Sequence, residues 1–395
     1  MREVVIVDGC RTAFGKKGGG LKEFSATELG GICVKALLER TQLLERGGKV
    51  DSLLAGMAIG DTRSNATARY ISQLAGLPYE VAATYVEMQC GSAITSLNHA
   101  AWKILMGASD IAIVGGVESH SNLPVLFGTD IAPYRDKPAP LVRTLSPIPE
   151  HATNMIQNSD KMAAKWGVER EECDTFSIRS QQRLQAAFES GLSGPEIIPV
   201  FNHFTGKTIT KDEHPRPDVT LEKISAMRPI YPGGVTTAAN ASGTNDGAAF
   251  LLVMTAEKAK ELGYTPYARW VTGAHAGIQA DHMGVAASYS NLKAAKYAGL
   301  KLKDFDVFES NEAFAAQQLA VIKDMQDATG EIIDQEKWNP NGGAIAIGHP
   351  NAASGARITM FAMRQLERTG GRYGSISSCC GGGQGSTAII ENLRR

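Results

Sequence analysis

Two cysteines far apart in the chain stand in small-residue frames. Cys90 lies in Met-Gln-Cys-Gly-Ser-Ala, and Cys379 heads Cys-Cys-Gly-Gly-Gly-Gln-Gly. Between them lie Glu-Ser-Asn-Glu-Ala-Phe-Ala at 309–315 and Asn-Gly-Gly-Ala-Ile-Ala-Ile-Gly-His-Pro at 341–350. Two thiols, a histidine and an asparagine, each framed by Gly, Ala or Ser, suit covalent thiol chemistry on an acyl group. Small neighbours let a substrate approach the backbone and permit tight turns. A cysteine at a strand-to-helix junction feels the positive end of the helix, which lowers its pKa and favours the thiolate. That is the expectation for Cys90, set against the plainer reading of a buried structural cysteine. A second thiol facing the first would supply what carbon–carbon chemistry needs, a base to take an α-proton and an acid to return it. The glycines after Cys379 are in themselves only a turn signal. His349, in Gly-His-Pro, precedes a helix start, and imidazole suits acid–base and oxyanion roles. Asn311-Glu312 at a strand end reads either as an Asx turn or as a polar pair holding a water and a carbonyl.

Elements must bring these groups to one place. Short β-branched runs alternate with longer helical patterns, the grammar of α/β layering. Strands are expected over 3–7, 52–59, 83–87 and 111–115, and helices over 25–39, 66–75 and 94–106, the last beginning just after Cys90 and stopped by Gly107. The pattern returns with strands at 268–272, 307–309 and 375–378 and helices at 291–298, 313–325 and 353–369. Helix, glycine stop, β run and Gly-Gly follow one another at 93–116 and again at 353–383, so the chain reads as a remote duplication of one α/β half. Residues 118–240 differ. A Pro-rich stretch at 133–149, a long helical segment at 169–190 and a polar, proline-containing run at 202–218 read as an insertion of loops and helices. A buried strand at 248–254 then rejoins the first half.

A chain of 395 residues is long for a single core, so two or three packed units are expected. Forty basic against forty-one acidic residues give a net charge of −1, which argues against nucleic acid or a membrane surface as a partner. Any anionic ligand must be held by a local cluster. No cationic leader or long apolar span stands before Val4, and the ending Asn-Leu-Arg-Arg is no peroxisomal address, so a cytoplasmic location is expected. Six cysteines in a chain of this length do not form a secreted disulfide framework, and mostly free thiols follow. Without a Cys-x-x-Cys or a close Cys/His set, zinc is not expected.

In its motifs the chain resembles the thiolases, the acetyl-CoA acetyltransferase and 3-ketoacyl-CoA thiolase group, over essentially its whole length. The resemblance is carried by Arg11-Thr12-Ala13-Phe14-Gly15, Cys90-Gly91-Ser92-Ala93, Gly115-Gly116-Val117-Glu118-Ser119 and Asp212-Glu213-His214-Pro215-Arg216. It continues through residues 240–248 (Asn-Ala-Ser-Gly-Thr-Asn-Asp-Gly-Ala), Asn311-Glu312-Ala313-Phe314-Ala315, Gly348-His349-Pro350 and Cys379-x-Gly-Gly-Gly-x-Gly. It implies an α/β fold of duplicated five-layer α/β/α/β/α architecture with an inserted loop domain. The N-terminal half would be 1–117, completed by 241–267, the loop domain 118–240 and the C-terminal half 268–395. It implies that Cys90, activated by His349, takes an acyl group from an acyl-CoA or 3-ketoacyl-CoA, and that Cys379 then acts as base and acid at the α-carbon of the second substrate. Two oxyanion sites follow, His349 with a water held by Asn311, and the backbone N–H groups of Cys90 and Gly381, each donor contributing ~3 kcal/mol to the transition state. The frame Cys-x-Gly-Gly-Gly selects Cys379 over Cys380, with Cys380 as the alternative if the turn differs.

The resemblance further implies CoA thioesters as substrates, no cofactor, a homodimer or a homotetramer, and a place in fatty acid metabolism. Candidate CoA contacts are Arg228, Met155, Thr272, Ala313 and Phe314, followed by Arg183 and Lys223. The chain also departs from the family. The nucleophile motif reads Cys-Gly-Ser-Ala, Asn154 stands where biosynthetic members often have His or Phe, residues 283–287 read Met-Gly-Val-Ala-Ala, and Gly-His-Pro is followed by Asn351-Ala352 where Ile-Gly is usual. These sites line the acyl and pantetheine pocket in relatives, so a shifted acyl specificity is expected. Two rivals remain. A ketoacyl synthase would use one cysteine, and Cys379 speaks against it. A non-catalytic acyl-CoA or lipid binder would have no need of the intact Cys90, His349, Asn311 and Cys379.

Overall fold

The protein is described from a computed structural model over residues 2–61, 63–127, 141 and 144–395. Positions 133–140 and 142–143 of the Pro-rich stretch lie outside these described residues. The first half runs β1 (Val4–Thr12), α1 (Ala26–Thr41), β2 (Ser52–Gly56), α2 (Thr67–Leu74), β3 (Ala82–Val86), α3 (Ser92–Leu105) and β4 (Ile111–Ser119). The following segment holds α4 (Met155–Trp166), α5 (Arg170–Glu189) and a small antiparallel pair, Val200–Asn202 with Lys207–Ile209. After it come β5 (Asn245–Thr255), β6 (Ala268–Gly277), α6 (Ala286–Ala298), β7 (Val307–Ser310), α7 (Ala315–Thr329), α8 (Ser354–Thr369), β8 (Tyr373–Cys380) and β9 (Gln384–Asn392).

The strand order is β3-β2-β4-β5-β1-β6-β9-β8-β7. It reads almost the same from either end of the central β1–β6 pairing, where Val4–Ile6 lies antiparallel to Ala268–Trp270. Thus β1 answers to β6, β5 to β9, β4 to β8 and β2 to β7, as a duplication requires. The counterpart of β3 in the second half is reduced to one bridge, Phe308 with Trp338. Helices α1 and α2 cover the outer face of the first half and α6 that of the second, with α7 packed on α6, α4 and α5. Between the two halves lie α3 and α8, each packed against strands of both. The result is five layers, with two helices buried at the centre.

Several elements are longer than the periodicity suggests, while β2 stops at Gly56, short of the expected 59. β1 runs on past the expected 3–7 through Asp8-Gly9, because β5 pairs along it after a bulge at Ile6/Asp8. Gly9 leaves room there for the Leu251 and Met360 side chains, since a Cβ would stand 2.6 Å from Leu251 Cδ2. Strand β9 and helix α4 have no counterpart among the expected elements. The run Gln384–Asn392 is legible as a strand only beside its neighbours β6 and β8, to which it pairs antiparallel. Helix α4 is fixed at its start by a capping box, in which the Asn154 side chain accepts from Gln157 N and the Gln157 side chain answers Asn154 N.

Two motifs of the sequence prove to be one joint. The buried Arg11 guanidinium on β1 makes two hydrogen bonds with Asp212, at 2.6 and 2.9 Å, and two with Glu196. Glu213 accepts from Lys16 N and Gly20 N. The inserted segment is thereby fastened to the first half through charge-assisted hydrogen bonds that leave the buried charges compensated.

The central helices approach each other through small residues. A Cβ on Gly355 of α8 would stand 2.8 Å from Ile94 N of α3 and 3.1 Å from Ala93 Cβ. One on Gly116 of β4 would stand 2.1 Å from Ala352 O. Gly355→Ala must therefore push α3 and α8 apart, at a cost of about 1–3 kcal/mol in urea-denaturation stability, with loss of activity. Gly277→Ala, which meets nothing within 4 Å, leaves both unchanged.

Candidate active site

Cys90 sits on a short 3-10 turn, Gln89–Gly91, that leads directly into α3. Its companion His349 sits in the turn that leads into α8, so the two groups occupy corresponding places in the two halves. The turn at Cys90 is tight. Gln89 takes φ 45°, uncommon for a residue with a side chain. Ser92 cinches it, donating to Gln89 O at 2.7 Å and accepting from Met88 N at 3.0 Å. His349 is held by Asn245 Oδ1, which accepts from its backbone N–H at 2.9 Å, and Gly348 before it takes φ 102°.

His349 Nε2 lies 3.1 Å from Cys90 Sγ and 3.3 Å from Asn311 Nδ2, while Nδ1 lies 2.6 Å from Ser354 Oγ on α8. Two donors, the thiol and the Asn311 amide, thus face Nε2. The tautomer that satisfies both carries its proton on Nδ1, donated to Ser354, and leaves Nε2 as the acceptor for the Cys90 proton. Asn311 follows β7 and is held by Ser377 O, which accepts its N–H, and by Gln318, which donates to its carbonyl at 2.6 Å. Its Oδ1 is buried and without a hydrogen-bond partner among the described residues. Glu312 turns away from the site. Its buried carboxylate accepts from Ser180 Oγ, Asn339 Nδ2 and Ile345 N, which ties the 339–345 loop in place below His349.

Cys379 and Cys380 end β8, and neighbouring strand residues face opposite ways. Cys379 joins the apolar cluster that contains Met283, Ala313 and Phe314, with Met155 packed against it. Cys380 packs on the elbow of Cys90, where a Cβ on Gly91 would stand 2.3 Å from Cys380 Sγ. Gly381 lies beside the same elbow, since a Cβ there would be 3.0 Å from Gln89 Cγ.

Burial governs the charge states. The expectation of a lowered Cys90 pKa from the helix end is overturned: burial pushes the thiol up, with further opposition from the charges of Cys379 and Glu118. Burial pushes Cys379 up to about 12 and holds His349 down to about 3, the latter aided by the charges of His120 and Arg357. The resting state is therefore two thiols and a neutral imidazole.

The chain matches the thiolase N-terminal domain over residues 4–257 and the thiolase C-terminal domain over 264–392. The chain belongs to the thiolase family. It is 37% identical to a 3-ketoacyl-CoA thiolase of Bacillus subtilis (strain 168), over 99% of this chain and 100% of that one. It is 38% identical, over 100% of each, to the 3-oxoadipyl-CoA/3-oxo-5,6-dehydrosuberyl-CoA thiolase of Escherichia coli (strain K12). The crystal structure of human mitochondrial 3-ketoacyl-CoA thiolase superposes with a TM-score of 0.90 at 34% identity, covering 99% of both chains.

Of the residues expected to contact CoA in this thiolase, Met155, Ala313 and Phe314 share the cluster around Cys379, whereas the others stand apart. Thr272 pairs with Ile389 in mid-strand, and Ile389 pairs with Ser375, four residues before Cys379 and so roughly 13 Å along the strand. Arg183 is engaged elsewhere, donating to Trp338 O at 2.7 Å and to Glu336. Arg228 and Lys223 are exposed. The departure at Asn154 is accounted for by its helix cap and by its amide donating to the Tyr231 hydroxyl at 2.7 Å. Ser354 and His120 stand in none of the motif positions that mark chemistry in the sequence, and Asn351 stands out there only as a departure from the family. A polar residue after Gly-His-Pro, where an aliphatic one is usual, was the signal.

The contact between Gly91 and Cys380 makes a paired test. Gly91→Ala should destabilise the thiolase by about 1–3 kcal/mol and displace Cys90, and Gly91→Ala with Cys380→Ala should recover much of both losses. Urea denaturation and the rate of Cys90 alkylation measure the coupling.

Proposed function

We propose that this acyl-CoA C-acyltransferase carries its acyl group on Cys90 and makes or cleaves a carbon–carbon bond with Cys379 as the second proton carrier. The observation that carries the reading is the 3.1 Å contact between the Cys90 sulfur and an imidazole nitrogen turned towards it as an acceptor. The Cys90 proton passes to His349 Nε2 as sulfur adds to the thioester carbonyl, and the departing CoA thiolate takes its proton from Cys379, which becomes the thiolate. Cys379 then removes the α-proton of the second acyl-CoA, the carbanion takes the acyl group from Cys90, and the Cys90 thiolate so released recovers its proton from His349. Thiolysis of a 3-ketoacyl-CoA is the reverse. Ionising Cys379 opposes ionising Cys90, so the two thiols serve in turn and not together. With the proton on Nε2, His349 and the adjacent Asn311 amide become a pair of donors for one oxyanion, and the N–H groups of Cys90 and Gly381, on touching turns, suit the other.

CoA thioesters are the proposed substrates, with Met155, Ala313 and Phe314 beside the acyl chain or pantetheine and Arg228 towards the nucleotide. A structure of the human relative is of its complex with CoA. A non-catalytic binder is not favoured, given full-length relatives named as thiolases. Brief incubation with acetyl-CoA or acetoacetyl-CoA should leave an acyl adduct on Cys90, seen by peptide mass spectrometry and discharged by free CoA. Cys90→Ala should abolish the adduct and lower turnover roughly 10³-fold or more, while Cys379→Ser should keep the adduct and lose the carbon–carbon step. Comparing acetoacetyl-CoA with longer and branched 3-ketoacyl-CoA esters reads the proposed shift in acyl specificity, which a preference for acetoacetyl-CoA would overturn.

A homodimer in a reducing cytoplasm is part of the same proposal. All six cysteines are free thiols, and among the described residues no helix is long and apolar enough to cross a membrane. Strand β3 pairs only with β2 among the described residues, and exposed Tyr70, Leu74 and Tyr79 lie on the elements leading to it. An open edge flanked by apolar surface favours pairing with a second copy. Sedimentation equilibrium should give a species of two chains, and a monomer at micromolar concentration would overturn this.

A further inference from the structure

Asn351 is the residue after Gly-His-Pro, and it faces the nucleophile. Its Nδ2 lies 3.6 Å from Cys90 Sγ, and its Oδ1 lies 2.8 Å from His120 Nε2. His120 follows β4 in a short turn and is buried. That turn is clamped by the Asp246 carboxylate, which accepts from Ser121 N at 2.9 Å and from the Ser121 hydroxyl. Two residues from opposite halves of the molecule therefore form a polar chain that ends on the reactive sulfur.

The direction of the chain follows from counting protons. The Cys90 thiol has one, and it is directed at His349 Nε2, which a second donor from Asn311 marks as an acceptor. A further polar contact with the sulfur is attractive only if it donates. Asn351 must then present its NH2 to Cys90 and its oxygen to His120, and His120 must carry its proton on Nε2. Each contact along the chain then pairs a donor with an acceptor. With the amide reversed, its oxygen would face a sulfur whose proton is already committed.

We propose that Asn351 is a further catalytic residue, donating an amide hydrogen bond to the Cys90 sulfur as its thiolate forms, and that His120 is the positioning residue that fixes the direction of that amide. The inference rests on the reading of Cys90 as the acyl carrier. A neutral donor is what the site needs, because burial disfavours both the thiolate and the imidazolium that its proton would create. The amide supports the negative charge without adding a positive one.

The test is the pH profile of Cys90 alkylation by iodoacetamide, followed by peptide mass spectrometry on the full chain. The titratable groups that face Cys90 are His349, Cys379, Cys380 and Glu118, and those that face His120 are Asp246, Lys17 and His349. Asn351→Leu leaves all of them in place. It should displace the rising limb of the alkylation profile to higher pH by roughly one to two units, read as alkylation about 10- to 100-fold slower at any one pH, and slow acylation by a similar factor, the rate equivalent of one hydrogen bond to a charged group. His120→Leu should displace the limb in the same direction and His120→Gln, which keeps a donor, should restore it; this pair carries the test should Asn351→Leu not fold. A profile in folded Asn351→Leu, or in folded His120→Leu, that coincides with the unsubstituted protein would overturn the inference. The alkylation profile reads the sulfur directly. An unsubstituted protein that forms no acyl adduct on Cys90 would overturn the acyl-carrier reading alone, and a shifted profile would still support the hydrogen bond.

Discussion

The close approach of two buried helices is the constraint on which the rest of the structure depends. α3 and α8 lie between the two halves of the sheet, and their first turns meet through Gly355, Ala93 and Ile94. Each helix is preceded by a tight turn, and each turn carries one member of the proposed catalytic pair, Cys90 on one and His349 on the other. A contact of 3.1 Å between sulfur and imidazole follows from helix packing, because neither side chain has the length to bridge a wider gap. The small residues that crowd these segments are thus a distance requirement. Gly116 against Ala352 and Gly91 against Cys380 extend the same requirement to the strands that flank the helices.

Burial is the second consequence of that packing, and it sets the chemistry. A group at the centre of five layers has little water to stabilise a charge. The thiols are held protonated and the histidine neutral. The proposed reaction then depends on proton transfer at the moment of attack, between groups already in hydrogen-bond reach, and on fixed neutral donors around the atoms that become charged. Asn311, Asn351 and the backbone N–H groups of the turns are the neutral donors that the proposal draws on. The buried carboxylates nearby, Glu118 and Glu312, are occupied by backbone and side-chain donors and serve to hold loops.

Much of the site was legible in the residue string because covalent thiol chemistry restricts the residue types and their frames. Cys90, His349, Asn311 and Cys379 were singled out by small neighbours and by position at strand and helix ends, and the structure gathers the first three around one nitrogen. The α/β alternation and the duplication were legible for the same reason, since helix and strand periods differ. Strand β9 was missed because a short apolar run after glycines acquires its identity only from the strands on either side. Helix α4 was missed because its start is a polar capping box with no apolar stripe before it. The lowered pKa expected for Cys90 failed because a helix end acts at one point, whereas burial acts from every direction.

The sequence by itself determined which residues could do chemistry and that two similar α/β halves would present them, because motif frames and local periodicity are properties of neighbouring residues. Only the tertiary structure decided which groups touch. The hydrogen-bond chain from His120 through Asn351 to Cys90, the wedge of Cys380 against Gly91 and the joint of Arg11 with Asp212 all join residues more than 100 positions apart. Contacts of that kind depend on how the layers stack and on how much water the stacking excludes, and neither quantity is encoded in any local stretch of chain.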